Sequence, residues 1–202
     1  EDQHPLQLAA IRKRFGTLIE QVPMLARLAE EQGVAEIREI EDLAPLLIPH
    51  SAMKSYAMSF LEGARFDRLT QWLNGFTVHD LSGVDASGCD SIDDWLMLLD
   101  TETEVRGMHS SGTSGKLSFL PRSTVEMPSM VTGYRRQFDG FHDEPSLLGV
   151  KPEEAPIVWL QYRTGAMAQH RHLAWLEKEL FGGDSSMIVT VYPSRFSAPA
   201  AS

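Results

Sequence analysis

A run of small and hydroxyl-bearing residues, closed by a lysine, separates two short apolar segments in the second half of the chain. The run consists of Ser110, Ser111, Gly112, Thr113, Ser114, Gly115 and Lys116, and we call it the Ser/Gly loop. The flanking segments, Val105 to His109 and Leu117 to Leu120, have the composition of β-strands. The pattern therefore predicts a glycine-containing loop held between two strands.

The composition of the Ser/Gly loop suits the binding of phosphate groups. Glycine lets backbone N–H groups approach a ligand closely, and successive N–H groups in such a loop form a concave site for anions. The hydroxyls add hydrogen-bond donors, and Lys116 adds a compact positive charge. The spacing does not fit the Walker A loop, because Gly112 and Gly115 are too close together and Leu117 follows the lysine. An ordinary turn remains the alternative interpretation.

The two halves of the chain differ in hydrophobic pattern. The first half is mostly helical and ends in a loop rich in glycine, serine and aspartate, whereas the second half alternates strands with helices. Helices are predicted over Ile11 to Val22, Met24 to Gln32 with Gly33 as cap, Met53 to Leu73, Ile92 to Leu99, Ser123 to Phe138 and Ala166 to Phe181. A short helix and an extended connection are predicted over Ile40 to His50, further strands over Pro156 to Tyr162 and Met187 to Tyr192, and a loop over Ser194 to Ser202.

This alternation predicts an α/β fold, in which a helical N-terminal region leads into a sheet covered by helices. We expect residues 1–100 to be mostly helical and residues 101–202 to form the α/β part that carries the loop at residues 110–116.

Charge and composition exclude several classes of protein. The net charge of −10, with no cluster of lysines and arginines, argues against nucleic acid as a partner. No apolar run is long enough to span a bilayer, so no membrane partner is expected. A single cysteine, Cys89, forbids an internal disulfide and fits a reducing compartment. We therefore expect a cytoplasmic protein.

Other groups of chemically active residues have simpler interpretations, and the sequence predicts no metal site. The aspartates from Asp85 to Asp94 do not have calcium-loop spacing and are interpreted as helix caps and solvated charges, with Asp90 or Ser91 as the cap. His170 and His172 do not share a helix face, which argues against a zinc pair.

The segment MHSSGTSGKLSFLPRS resembles the phosphate-loop signature of adenylate-forming enzymes, the acyl-CoA synthetase superfamily. It is most similar to the phenylacetate–CoA ligase branch and the related acyl-protein synthetases, whose signature reads Ser-Ser-Gly-Thr-Thr-Gly-Lys-Pro. Ser114 and Leu117 depart from that pattern. QVPMLARLAEEQGV and IEDLAPLLIPH are similar to the entry region of that branch, and LQYRTGAMAQH is loosely similar to the turn that lines its acyl pocket.

The resemblance implies a ligase that uses ATP and Mg²⁺ to activate a carboxylic acid as an acyl-adenylate. The acyl group then passes to a thiol, of coenzyme A or of a protein. The nucleotide-binding residues carried over are the seven of the Ser/Gly loop, whereas the catalytic residues remain unassigned. Family members are about twice as long as this chain, so residues 1–202 are expected to be part of the N-terminal domain. Apolar surface exposed on a truncated sheet favours a homodimer.

Two alternatives remain open at this point. One is a non-catalytic module that keeps the fold and binds a nucleotide, and the other is an interaction domain whose Ser/Gly loop is only a turn.

Overall fold

The structure is a computed structural model that describes residues 4–112, 115–140 and 151–198, without the side chains of residues 137–140 and 152. The chain divides into two compact units, Glu1–Gly88 and Cys89–Ser202. The described helices and strands are, in order, α1 (His4–Gln21), α2 (Pro23–Gln32), α3 (Met58–Glu62), α4 (Phe66–Leu73), α5 (Ile92–Glu102), β1 (Val105–His109), β2 (Phe119–Ser123), α6 (Met127–Gly140), β3 (Ile157–Gly165), α7 (Ala168–Glu179) and β4 (Ile188–Phe196). The predicted α/β class is confirmed at the level of helices combined with small sheets.

The first unit is helical. Pro23 begins α2 directly after α1, and Gly33 ends α2 in the left-handed conformation that the sequence predicts for a cap. Phe15 of α1 and Ala29 of α2 share a buried cluster with Ile37 and Leu46. The packing of these apolar side chains therefore holds the helix pair and the short 3₁₀ helix Ile40–Leu46 together.

The sequence predicts one continuous helix from Met53 to Leu73, and this prediction is wrong. The structure replaces it with a 3₁₀ turn, α3 and α4. The break lies at Gly63 and Ala64, where Ala64 has a φ of +47° and its N–H donates to the carbonyl of Leu61. A left-handed residue cannot continue a right-handed helix, so α4 begins anew at Phe66 and buries its own apolar face.

The second unit contains two small sheets. β1 and β2 pair antiparallel, and β3 and β4 pair parallel with α7 as the connection between them. A parallel pair requires such a crossover, so this pairing is compatible with the predicted order of strand, helix and strand. The N–H of His109, the last residue of β1, donates to the carbonyl of Ala166 at 3.1 Å, which ties the first sheet to the beginning of α7.

Buried apolar side chains hold the helices of this unit against its two sheets. Trp95 of α5 is fully buried and packs edge-to-face on Phe119 of β2, with ring centroids 5.1 Å apart. Behind β3 and β4, helices α6 and α7 contribute Val131, Leu173 and further side chains to a second cluster. Among the described helices, none is both long and apolar enough to cross a membrane.

Several predicted boundaries need correction. The second flanking strand begins at Phe119 rather than at Leu117, and Ser123 closes β2 instead of opening α6. The N–H of Ser123 nevertheless donates to the carboxylate of Glu126 at 3.2 Å, just before α6 begins. Ser91 is confirmed as the cap of α5, because its hydroxyl accepts the N–H of Asp94.

The loop predicted from Ser194 onward is wrong as far as Phe196, because β4 continues to that residue. Arg195 and Phe196 pair with Thr164 and Gly165 of β3, so these residues gain their strand conformation from the neighbouring chain segment rather than from their own sequence. Register shifts precede these pairs along the two strands.

Candidate functional site

The Ser/Gly loop joins β1 to β2 in the second unit, as the flanking segments predict. Hydrogen bonds close its base, because the N–H of Ser110 donates to the carbonyl of Ser118 at 3.0 Å and the hydroxyl of Ser110 accepts the N–H of Ser118 at 2.9 Å. The structure therefore places Ser110 as an anchor of the loop. Thr113 and Ser114 lie outside the described residues.

The two glycines form a turn that requires glycine. The N–H of Gly115 donates to the carbonyl of Gly112 at 2.8 Å, and their φ angles are +83° and +73°. A Cβ on Gly112 would lie 2.8 Å from the Cδ2 atom of Leu117, which is buried beneath the loop. Leu117 thus packs against the backbone of the turn. Lys116 is half-buried next to it.

Ser111 borders a cavity of about 440 Å³ that also contacts β3, β4 and the beginning of α7. Such a volume falls within the range of about 300–1,000 Å³ that is typical of small-molecule sites. No described residue that lines the cavity carries a charged side chain. Gln161 and Gln169 belong to the lining and hydrogen bond to each other through their side chains.

Aromatic rings form one wall of the cavity. Tyr162 of β3 stacks on Tyr192 of β4, with centroids 5.0 Å apart and an interplanar angle of 27°. The ring of Phe196 contacts Tyr162 at 5.5 Å and His170 at 5.8 Å between centroids. These residues lie toward the carboxyl ends of two parallel strands, the edge of a sheet where ligand sites commonly form.

Two buried histidines lie beside this wall. His170 is 1% exposed and lines the cavity, and neither of its ring nitrogens has a hydrogen-bond partner among the described residues. His109 is fully buried, and its Nδ1 lies 2.8 Å from the carbonyl of Ser110. A carbonyl can only accept, so Nδ1 of His109 carries the proton and Nε2 presents a lone pair. No described group pairs with that Nε2 atom.

Burial keeps both imidazoles in the neutral form. Desolvation lowers the pKa of His170, and the neighbouring His109 lowers it further. Desolvation also lowers the pKa of His109 and outweighs the opposing influence of the Ser110 carbonyl and of Asp93. Both imidazoles are therefore uncharged at neutral pH.

Ion pairs on α7 hold the histidine-bearing helix in place. Arg171 pairs with Asp100 of α5, and Arg163 of β3 pairs with Glu177. All four side chains are a quarter exposed or less, so solvent screens these pairs weakly.

The sequence predicts only part of this arrangement. The segment LQYRTGAMAQH, singled out for its likeness to an acyl-pocket turn, contributes Tyr162, Met167 and His170 to the cavity. Tyr192 and Phe196 were not predicted, and the parallel pairing of the flanking strands is the signal that could have indicated them. His172 is half-buried on α7 and does not line the cavity, in agreement with the prediction that it does not share a face with His170.

Asp85, one of the aspartates grouped in the sequence analysis, has local hydrogen-bond partners. Asp85 accepts hydrogen bonds from the hydroxyl and the N–H of Ser87, which lower the pKa of its carboxyl. Within the described ranges, no group of three or more His, Cys, Asp and Glu side chains could hold a metal ion.

Comparisons of this chain with protein-family models, with curated protein sequences and with solved structures found no match.

Proposed function

We propose that the chain binds the phosphate groups of ATP at the Ser/Gly loop, as part of an enzyme that activates a carboxylic acid. The observation that carries this proposal is the position of the loop. It joins two strands, turns through two glycines with positive φ, and places Ser111 at the edge of a cavity of small-molecule size.

The beginning of α7 makes one end of the cavity suitable for an anionic group. Met167, the residue before the first turn of α7, lines the cavity together with Ser111. The positive end of the helix dipole and the N–H groups of a glycine-rich loop both stabilise negative charge. The loop and the beginning of α7 therefore border one space, whose other walls combine aromatic and apolar side chains with Gln161 and Gln169.

The proposed reaction follows from the resemblance to adenylate-forming enzymes. A carboxylate oxygen of the acid forms a bond to the α-phosphorus of ATP, the bond from that phosphorus to the bridging oxygen breaks, and pyrophosphate leaves. Negative charge increases on the departing phosphates, where prearranged donors are most effective. The backbone N–H of Gly112 and the ammonium group of Lys116 would supply such donors, whereas the N–H of Gly115 closes the turn on the carbonyl of Gly112. A thiol of coenzyme A or of a protein would then lose its proton and attack the acyl carbon of the acyl-adenylate, forming a thioester as the bond to the phosphate oxygen breaks and AMP leaves.

Mg²⁺ enters this proposal as part of the MgATP substrate. Because the described residues include no group of three metal ligands, we derive no step through a protein-bound metal. The use of ATP and the single cysteine favour a cytoplasmic location.

Calorimetric titration with MgATP tests the proposal. We expect saturable binding that Lys116→Ala weakens by about tenfold or more, since a charge-assisted bond to phosphate is worth about 1.5–3 kcal/mol. Lys13→Ala is the matched control, because Lys13 is an exposed lysine on α1 in the other unit and its loss makes the same change in net charge. Equal affinity in Lys116→Ala and Lys13→Ala would contradict the proposed role of the loop.

Exchange of labelled pyrophosphate into ATP distinguishes the two nucleotide-binding alternatives. Exchange that depends on an added carboxylic acid supports the ligase, whereas MgATP binding without exchange for any acid supports the non-catalytic module.

A further inference from the structure

His109 is a fully buried polar side chain at the end of β1, directly before the Ser/Gly loop. Its backbone N–H donates to the carbonyl of Ala166 at 3.1 Å, so the residue is held against the segment that precedes α7. The Nδ1 atom of its ring lies 2.8 Å from the carbonyl oxygen of Ser110 and donates to it. None of the steps derived above for the nucleotide uses this side chain.

The polar groups of Ser110 all have partners at the base of the loop. Its N–H donates to the carbonyl of Ser118 at 3.0 Å, and its hydroxyl accepts the N–H of Ser118 at 2.9 Å. These two bonds join the beginning of the loop to the residue that follows its end. His109 therefore holds the one polar group of Ser110, the carbonyl, that does not bond to Ser118.

The bond from His109 sets the plane of the peptide between Ser110 and Ser111. This peptide is trans, so it is rigid, and its carbonyl and its N–H point in opposite directions. Because the carbonyl points to the buried ring of His109, the N–H of Ser111 is directed away from that ring. Ser111 borders the cavity of about 440 Å³. The orientation of the first peptide of the loop thus depends on a donor in the protein interior.

A fixed peptide plane is an advantage for a loop that binds phosphate groups. Donors stabilise negative charge best when they are oriented before the ligand arrives. A loop that samples several conformations binds more weakly, in proportion to the fraction of time that it spends in the binding conformation. A buried donor is well suited to hold one conformation, because a hydrogen bond is stronger where water is excluded.

We propose that His109 is a positioning residue for phosphate binding at the Ser/Gly loop, and that it acts through the carbonyl of Ser110. The inference rests on the proposed function and adds the residue that orients the loop for its ligand. Only the donor at Nδ1 is required for this role, so an amide in the same place should replace the ring.

Titration of two His109 variants with MgATP tests the proposal. His109→Asn supplies an amide nitrogen that can take the place of Nδ1, whereas His109→Phe keeps a ring of similar size without a donor. We expect His109→Asn to bind MgATP to within about threefold of the wild-type affinity and His109→Phe to bind about tenfold more weakly, through loss of one hydrogen bond. A role in packing alone predicts the reverse order, because only phenylalanine fills the space of the ring.

His172→Asn and His172→Phe are the matched controls, because His172 is half-buried on α7 and does not line the cavity. Both should keep the wild-type affinity. Nitrogen NMR of the wild-type chain without nucleotide needs no variant, since the ring of His109 should carry its proton on Nδ1.

Three results would overturn the inference and leave phosphate binding at the loop intact. They are wild-type affinity in His109→Phe, equal weakening in both His109 variants, and a His109 ring that carries its proton on Nε2 alone. A wild-type chain that binds no MgATP would instead refute the proposed function, and the positioning role with it.

Discussion

Replacement of Gly165 by alanine should destabilise the second unit more than any ordinary surface substitution. Gly165 closes β3 with a φ of +151° and pairs with Phe196 of β4. A Cβ at this position would lie 2.7 Å from the carbonyl oxygen of Phe196 and 2.7 Å from Nδ1 of His170. One obstacle is backbone and the other is a buried ring, so neither can yield without moving a strand or the wall of the cavity.

The magnitude follows from these two penalties. Overpacking of a dense interior costs about 1–3 kcal/mol, and a non-glycine residue in a sparsely populated backbone region costs about 1–3 kcal/mol. Together they predict a loss of about 2–6 kcal/mol in the free energy of unfolding. Urea denaturation followed by far-ultraviolet circular dichroism measures this loss as a lower midpoint.

Two further glycine substitutions separate the cost of steric overlap from the cost of backbone strain. Gly115→Ala meets no atom within 4 Å but has a φ of +83°, so it should cost about 1–2 kcal/mol through backbone strain alone. Gly133→Ala lies within α6 with open space around it, and should stabilise the chain by about 0.5–1 kcal/mol. If Gly165→Ala cost no more than Gly115→Ala, the close approach of His170 and Phe196 to Gly165 would be refuted.

Two other predictions concern charge in the second unit. Burial lowers the pKa values of His109, His170 and His172 below the usual value of about 6.5, so the unfolded chain binds more protons than the folded chain once the pH falls below that value. The contribution of these three histidines to the free energy of unfolding should be fully present above that pH and should decrease below it, by at most about 1.4 kcal/mol per histidine per pH unit. Urea titrations between about pH 8 and 5 measure this decrease. A free energy of unfolding that did not fall with acidification would contradict the burial of these rings. Asp100→Asn should lower the free energy of unfolding by about 2 kcal/mol, because it leaves the largely buried Arg171 without its carboxylate. A double-mutant cycle with Arg171→Met should show that the two substitutions are coupled. Additive effects of the two substitutions would contradict the ion pair between Asp100 and Arg171.

The parts of the fold that the sequence predicts well are those whose conformation is decided locally. Val105 to His109 forms β1 with the predicted bounds, because its apolar residues are followed directly by the glycine-rich run. The end of α2 at Gly33 is equally local, since that glycine adopts the left-handed conformation. Cooperation between neighbouring residues suffices to determine such elements.

The parts that the sequence misses depend on pairing between distant segments. Ser194 to Phe196 carry no strand periodicity of their own and become part of β4 through their pairing with the end of β3. The same pairing brings Phe196 and Tyr192 to the cavity, which explains why the sequence does not indicate these two residues. The anchoring role of the Ser110 hydroxyl was missed for a similar reason, because it depends on Ser118 across the loop.

Amide NMR during a titration with MgATP tests the central claim most directly, since it reports on the backbone of the Ser/Gly loop itself. If the loop holds phosphate groups, the N–H resonances of Gly112 and Gly115 should move with saturable dependence on MgATP, and inorganic pyrophosphate should move the same resonances. The glycines of the first unit, such as Gly16 on α1, should remain unchanged. Loop resonances that stay in place while MgATP binds elsewhere, or that fail to respond at any concentration, would contradict a phosphate-binding role and leave the loop as a structural turn.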